Sequence, residues 1–223
     1  MTRKPRLLLL CALCAATLAG GLSACAPLVL GGAAMGTLVA IDRRTSGMQL
    51  EDEGIEFRAS NRMREAFGDT AHINITSYNR QVLLTGEVPN AQSRQLAEQV
   101  IGKVENVRAI VNELAVMGSA SLVQRSSDTL TTGKVKASLV DAKDLYASAF
   151  KVVTERGTVY LMGRVTQREA SRATEITRTV GGVQKVVRIL EIISEDELRR
   201  QLPSQAPAAA PAGPASPATP ATQ

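Results

Sequence analysis

The side chains best suited to chemistry in this 223-residue chain are few: one histidine, His72, and three cysteines, Cys11, Cys14 and Cys25. No carboxylate and hydroxyl stand at triad spacing from His72, so a solvated or packed imidazole is expected there rather than a general base. No His/Cys/Asp grouping has metal-ligand spacing, and Gly31-Gly32 lacks the Lys-Ser/Thr pair and following helix of a phosphate loop. The expectation is therefore no catalytic residue, no metal, no cofactor and no enzyme. Cys25 differs in its surroundings. Arg3, Lys4 and Arg6 precede an apolar run from Leu7 to about Leu22, which ends in Leu22-Ser23-Ala24-Cys25. That order of charge, apolar stretch and small residues is a secretory leader.

The Leu-Ser-Ala-Cys end resembles a lipobox, the motif at which a cysteine thiol is acylated and the leader then cleaved. Residues 1–24 are accordingly read as the signal peptide and Cys25 as the lipidated N-terminus. An uncleaved membrane helix is disfavoured, because glycines and small residues interrupt a run already near the minimum for spanning. Removing Arg3, Lys4 and Arg6 leaves 23 basic against 21 acidic side chains, so the mature chain is expected to carry +2 rather than +5. Cys11 and Cys14 leave with the leader, so neither a disulfide nor a free thiol is expected.

Residues 25–50 read as the acylated N-terminus and a flexible tether, glycine-rich at Gly31, Gly32 and Gly36 and ending in Asp42-Arg43-Arg44. Residues 195–223 read as a tail; from Pro203 on it is nearly all Pro, Ala, Ser and Thr, a composition unable to bury a core. Between them lies a duplication, 51–118 and 119–194. Ile73 to Val88 aligns with Phe150 to Val165 at an offset of 77, and Val107, Ile110, Val111 and Leu114 align with Val183, Val186, Val187 and Leu190 at 76.

Each aligned stretch alternates apolar and polar residues around a turn, Tyr78-Asn79-Arg80 in one copy and Glu155-Arg156-Gly157 in the other, and so predicts a β-hairpin. A helix follows, opened by Pro89-Asn90 in the first copy and by the capping-box pattern Thr166-Gln167-Arg168-Glu169 in the second. Leu96, Val100, Ile101 and Val104, and then Ala170, Ala173, Ile176 and Val180, mark the faces expected to be buried. A last strand follows, and another amphipathic helix precedes each hairpin, at about 53–67 and 129–142. The fold class is α+β: two αββαβ units, each a three-stranded mixed sheet packed against two helices.

These residues, with Gly86 and Gly163 at the ends of the Val-Leu-Leu-Thr-Gly and Val-Tyr-Leu-Met-Gly strands, resemble BON domains. Two of them behind a lipobox are similar to the dual BON-domain outer-membrane lipoproteins. The resemblance covers about Ala26 to Ser194 and leaves the Pro/Ala tail unmatched. It implies a periplasm-facing protein held in the inner leaflet of the outer membrane, which supports envelope integrity. It further implies binding of anionic phospholipid, phosphatidylglycerol-like, through the second domain.

Charge supports a site there without any family knowledge: residues 51–118 carry 7 basic and 10 acidic side chains, residues 120–193 carry 12 and 7. On the helix expected at 129–142, Thr131, Val135, Leu139 and Ala142 should face the sheet. Leu130, Gly133, Ala137 and Val140 should point outward between Lys134 and Lys136. An apolar stripe edged by lysines suits a helix that dips into a headgroup layer. Leu130 stands where the resembled proteins carry a bulky aromatic, which implies either lower affinity or shallower insertion. The strand-end loop Gly163, Arg164, Val165 and Thr166 is a second candidate for lipid contact. Nucleic acid is not an expected partner, since three Phe, three Tyr and no Trp leave little to stack on bases. The alternative is a non-catalytic adaptor that docks an outer-membrane assembly or cell-wall remodelling protein.

Overall fold

The computed structural model describes residues 42–201; Cys25, the leader, most of the tether and the chain from 202 onward lie outside the described residues. The elements run α1 (Ser46–Phe67), β1 (His72–Tyr78), β2 (Gln81–Val88), α2 (Ala91–Gly102), β3 (Ala109–Asn112), β4 (Ala115–Val116) and α3 (Leu122–Asp141). A 3-10 turn (Ala147–Ala149), β5 (Phe150–Glu155), β6 (Thr158–Thr166), α4 (Gln167–Thr179), β7 (Lys185–Ile193) and α5 (Glu195–Gln201) complete the order. No described helix is long and apolar enough to cross a membrane.

Each repeat is an antiparallel hairpin joined through a helical crossover to a third, parallel strand, in the orders β1-β2-β3 and β5-β6-β7. Tyr78 pairs with Gln81 and Glu155 with Thr158, so the turns are two residues long. Asn79, Arg80, Arg156 and Gly157 all have positive φ, as type I′ turns require. The third strand of the first repeat is broken: β3 and β4 both pair with β2, separated where the Asn112 side chain accepts from the Leu114 N–H. The equivalent β7 is continuous.

Both strand-end glycines are required by close approach. A Cβ on Gly86 would lie 2.1 Å from the His72 carbonyl oxygen, and Gly86 also has φ of 109°. A Cβ on Gly163 would meet the Ala149 carbonyl oxygen at 2.4 Å. Position 163 has no positive φ, so there the demand is for space alone.

Three boundaries differ from the sequence expectation. α1 starts at Ser46, capped by Thr45, and α3 at Leu122, capped by Ser121, each about two turns earlier than apolar spacing indicated. Residues 195–201, expected within the unstructured tail, form α5: Ser194 accepts from the Glu197 N–H at 3.1 Å, Glu197 pairs with Arg164, and Leu198 is buried. In α2 the buried positions are Ala97 and Ile101, whereas Leu96 is exposed.

Two cores lie between helices and sheet, one per repeat, built on Ile55, Val82, Leu84 and Ile101 and on Val135, Leu139, Val159 and Leu161. A third joins the repeats: Tyr78 and Leu83 from the first sheet pack on Tyr160, Met162 and Ile189 from the second. Side chains alternate along β2, with Val82 and Leu84 facing helices and Leu83 facing the other sheet. Both central strands are therefore covered on two sides, unlike the one-sided cover that alternation predicts, because the apolar residues between the alternating positions, Leu83, Tyr160 and Met162, meet the other sheet. Each buried side chain of the third core contributes about 1.5–3 kcal/mol. Modules of about 65 residues are marginal alone, so this contact supports both.

Candidate functional site

α3 presents two opposed faces. Thr131, Val135 and Leu139 are buried, Ala142 half-buried, and Asp128 points inward with them. Opposite, Leu130 (66 % exposed), Val140 (69 %), Gly133 and Ala137 stand in solvent, and the earlier helix start adds Leu122 (79 %) and Val123 (80 %). Lys134 and Lys136 are exposed on either side. Beside the second half of the helix, Val140, Phe150 and Val152 line a shallow groove of about 280 Å³ with Lys136 at its edge. The stripe is thus longer than the sequence indicated. Ser121 and Gln124 form the S-x-x-Q pattern that could have located its true start, and Ser121 Oγ does accept from the Gln124 N–H at 3.2 Å.

The second candidate loop is a different kind of place, largely buried rather than presented to solvent. Gly163, Val165 and Thr166 are buried. Thr166 caps α4 in a complete capping box with Glu169. Arg164 pairs with Glu191 at 3.1 Å and with Glu197. The side chains of Arg164 and Thr166 are thus engaged within the fold.

The charged turn after the tether is fixed to both repeats. Arg43 makes a bidentate pair with Glu169, 2.7 Å to each oxygen, with both side chains almost fully buried, and also donates to the Arg164 carbonyl. Burial alone would raise the Glu169 pKa, but the Arg43 guanidinium and the Thr166 N–H hold it below its ordinary value. Arg44 bridges Asp42 and Asp52 and lies 4.3 Å over the Tyr78 ring.

Asp52 is a residue that sequence reasoning missed. It is buried on α1 and accepts from Ser77 Oγ and from the N–H groups of Asn79 and Arg80, clamping the first hairpin turn. Burial works against its charge, yet these donors together with Arg44 keep its pKa lowered. Asp128 does the same for Arg156 and Gly157 in the second repeat. An acidic residue at matching positions of the two copies was the available signal.

A second grouping also escaped the sequence, which offered no reason to bring its members together. His72 Nδ1 lies 3.1 Å from Glu87 Oε2, and Glu155 from the other repeat joins them, one ligand-type atom from each lying within 4.8 Å of the others. Glu155 is held above the ordinary carboxylate pKa, first by burial and further by the Glu87 charge.

Two αββαβ modules packed sheet to sheet, the second displaying an apolar, lysine-edged helix, define a tandem-module α+β protein. The chain belongs to the BON-domain family, whose pattern matches residues 51–118 and 127–193. It is 36% identical over 174 residues, covering 77% of this chain and 90% of the relative, to the outer membrane lipoprotein DolP of Haemophilus influenzae. It is 33% identical over 155 residues, 69% of this chain and 80% of the relative, to a 21 kDa hemolysin of Actinobacillus pleuropneumoniae. A shorter match, 33% over 118 residues, covers 51% of the chain and 58% of the osmotically-inducible protein Y of Escherichia coli.

Proposed function

We propose that this DolP-like protein is a non-enzymatic lipoprotein of the outer membrane, facing the periplasm and anchored through acylated Cys25. It supports envelope integrity by binding anionic phospholipid through α3. Similarity to an outer membrane lipoprotein over most of both chains supports the location. The observation that carries the lipid reading is the exposed stripe of Leu122, Val123, Leu130, Ala137 and Val140, opposite the buried face of α3 and between Lys134 and Lys136.

A water-facing helix has little reason to display such a stripe, whereas at a bilayer the apolar groups enter the acyl boundary and the ammonium groups meet phosphate. Each lysine adds about 1 kcal/mol near an anionic surface, less as salt rises. Acyl anchoring raises the effective lipid concentration, so weak intrinsic affinity suffices. The test is flotation of the acyl-free mature chain with vesicles. Binding to phosphatidylglycerol vesicles at low salt, weakened by Leu130→Asp and by Lys134→Glu with Lys136→Glu, is the expected result. Equal binding to neutral vesicles, or none at low salt, overturns the reading.

A further inference from the structure

We propose that His72, Glu87 and Glu155 form a binding site for a divalent transition-metal ion of the Zn2+ class, bridging the two repeats. His72 opens β1, Glu87 lies near the end of β2 and Glu155 ends β5, so the ligands come from both sheets. The 3.1 Å between His72 Nδ1 and Glu87 Oε2 matches the roughly 3.0–3.4 Å edge between neighbouring ligands about 2.1 Å from a common ion. All three ligand atoms lie within 4.8 Å of one another, so closing around an ion asks for carboxylate shifts of no more than about 1 Å.

A second observation points to cation binding at Glu87. Glu87 is 1 % exposed, yet among the described residues its Oε1 accepts no hydrogen bond. The Arg156 guanidinium stands off at 3.5 Å, and its side chain is partly in solvent. The carboxylates are already oriented as outer partners orient metal ligands: Glu87 Oε2, the oxygen beside His72, also accepts from the Ala120 N–H at 3.1 Å, and Glu155 Oε2 accepts from Asn74 Nδ2 at 2.9 Å. His72 and Glu155 border an open cavity of about 370 Å³, lined also by Asn74, Asp128 and Thr132, which gives an ion a path and room for water ligands. Two carboxylates and a neutral imidazole balance a divalent charge. The imidazole favours zinc-like ions over Mg2+ or Ca2+, which prefer all-oxygen shells.

The test is titration of the EDTA-treated, acyl-free chain with ZnCl2, followed by calorimetry and by the imidazole NMR signals of the chain's single histidine. The expected result is one Zn2+ per chain, a shifted His72 signal, a higher melting temperature, and no response to the same concentration of Mg2+. Glu155→Gln, which keeps the size of the side chain, should weaken Zn2+ binding at least about tenfold. His72→Gln should do the same and serves if the first variant fails to fold. No saturable binding by about 100 μM Zn2+, an unmoved His72 signal, or undiminished affinity in the variants overturns the proposal.

Discussion

At the scale of single residues, the fold depends on buried carboxylates whose charge is compensated by specific donors. Asp52 and Glu169 have folded pKa values below their ordinary 3.8 and 4.5. Depressed acids contribute stability that is fully present above those ordinary values and is lost as pH falls through the folded ones. Glu155, raised by burial and by Glu87, has the opposite sign and slightly opposes folding once it ionises. The depressed Asp52 and Glu169 predict that the urea midpoint of the acyl-free chain falls as pH drops below about 4.5. The Asp52→Asn variant should show a shallower fall and a lower starting stability, since it keeps the size of Asp52 but loses its charge toward Arg44. A midpoint flat from pH 7 to 3 would contradict this account. The capping-box bond of Glu169 was legible beforehand, but its pairing with Arg43 was not, because the two are 126 residues apart and join across the fold rather than along the chain.

At the scale of elements, glycine separates what the fold needs from what the surface tolerates. Gly133 sits in the middle of α3 with nothing within 4 Å of where a Cβ would stand, so Gly133→Ala should stabilise the protein by about 1 kcal/mol through helix propensity. Gly86 combines positive φ with a backbone oxygen 2.1 Å from where a Cβ would be, so Gly86→Ala should destabilise by more than about 1 kcal/mol. Thermal melts of the two variants check both signs. The hairpins, the capping box at Thr166 and the buried face of α3 were readable from spacing of types. The first turns of α1 and α3 were not readable from apolar spacing; in α3, Leu122 and Val123 face solvent and break the period of buried positions, leaving the Ser121–Gln124 cap pattern as the signal there. An exposed apolar residue carries no packing period.

At the scale of the whole molecule, repetition in sequence became sheet-to-sheet packing in space. The offset of 77 residues revealed two copies, but the hairpins were read as alternating strands covered on one side, and the second cover on Leu83, Tyr160 and Met162 was not anticipated. What the duplication could not reveal is what the two copies build jointly, the Tyr78–Met162 core and the His72–Glu87–Glu155 cluster, since an alignment of the copies does not say how one packs on the other. Packing one sheet on the other leaves the helices outward, and α3 with its lysine-edged stripe among them. The central claim is that this face meets anionic lipid. It is tested most directly by spin labels placed singly through Leu130→Cys, Ala137→Cys and Glu175→Cys in a chain with Cys25 replaced by Ser. With phosphatidylglycerol vesicles the account predicts that labels at 130 and 137 lose contact with a water-soluble relaxant and gain contact with oxygen, while the label at 175 is unchanged. Labels that all stay water-exposed, or that respond equally to neutral vesicles, would contradict it.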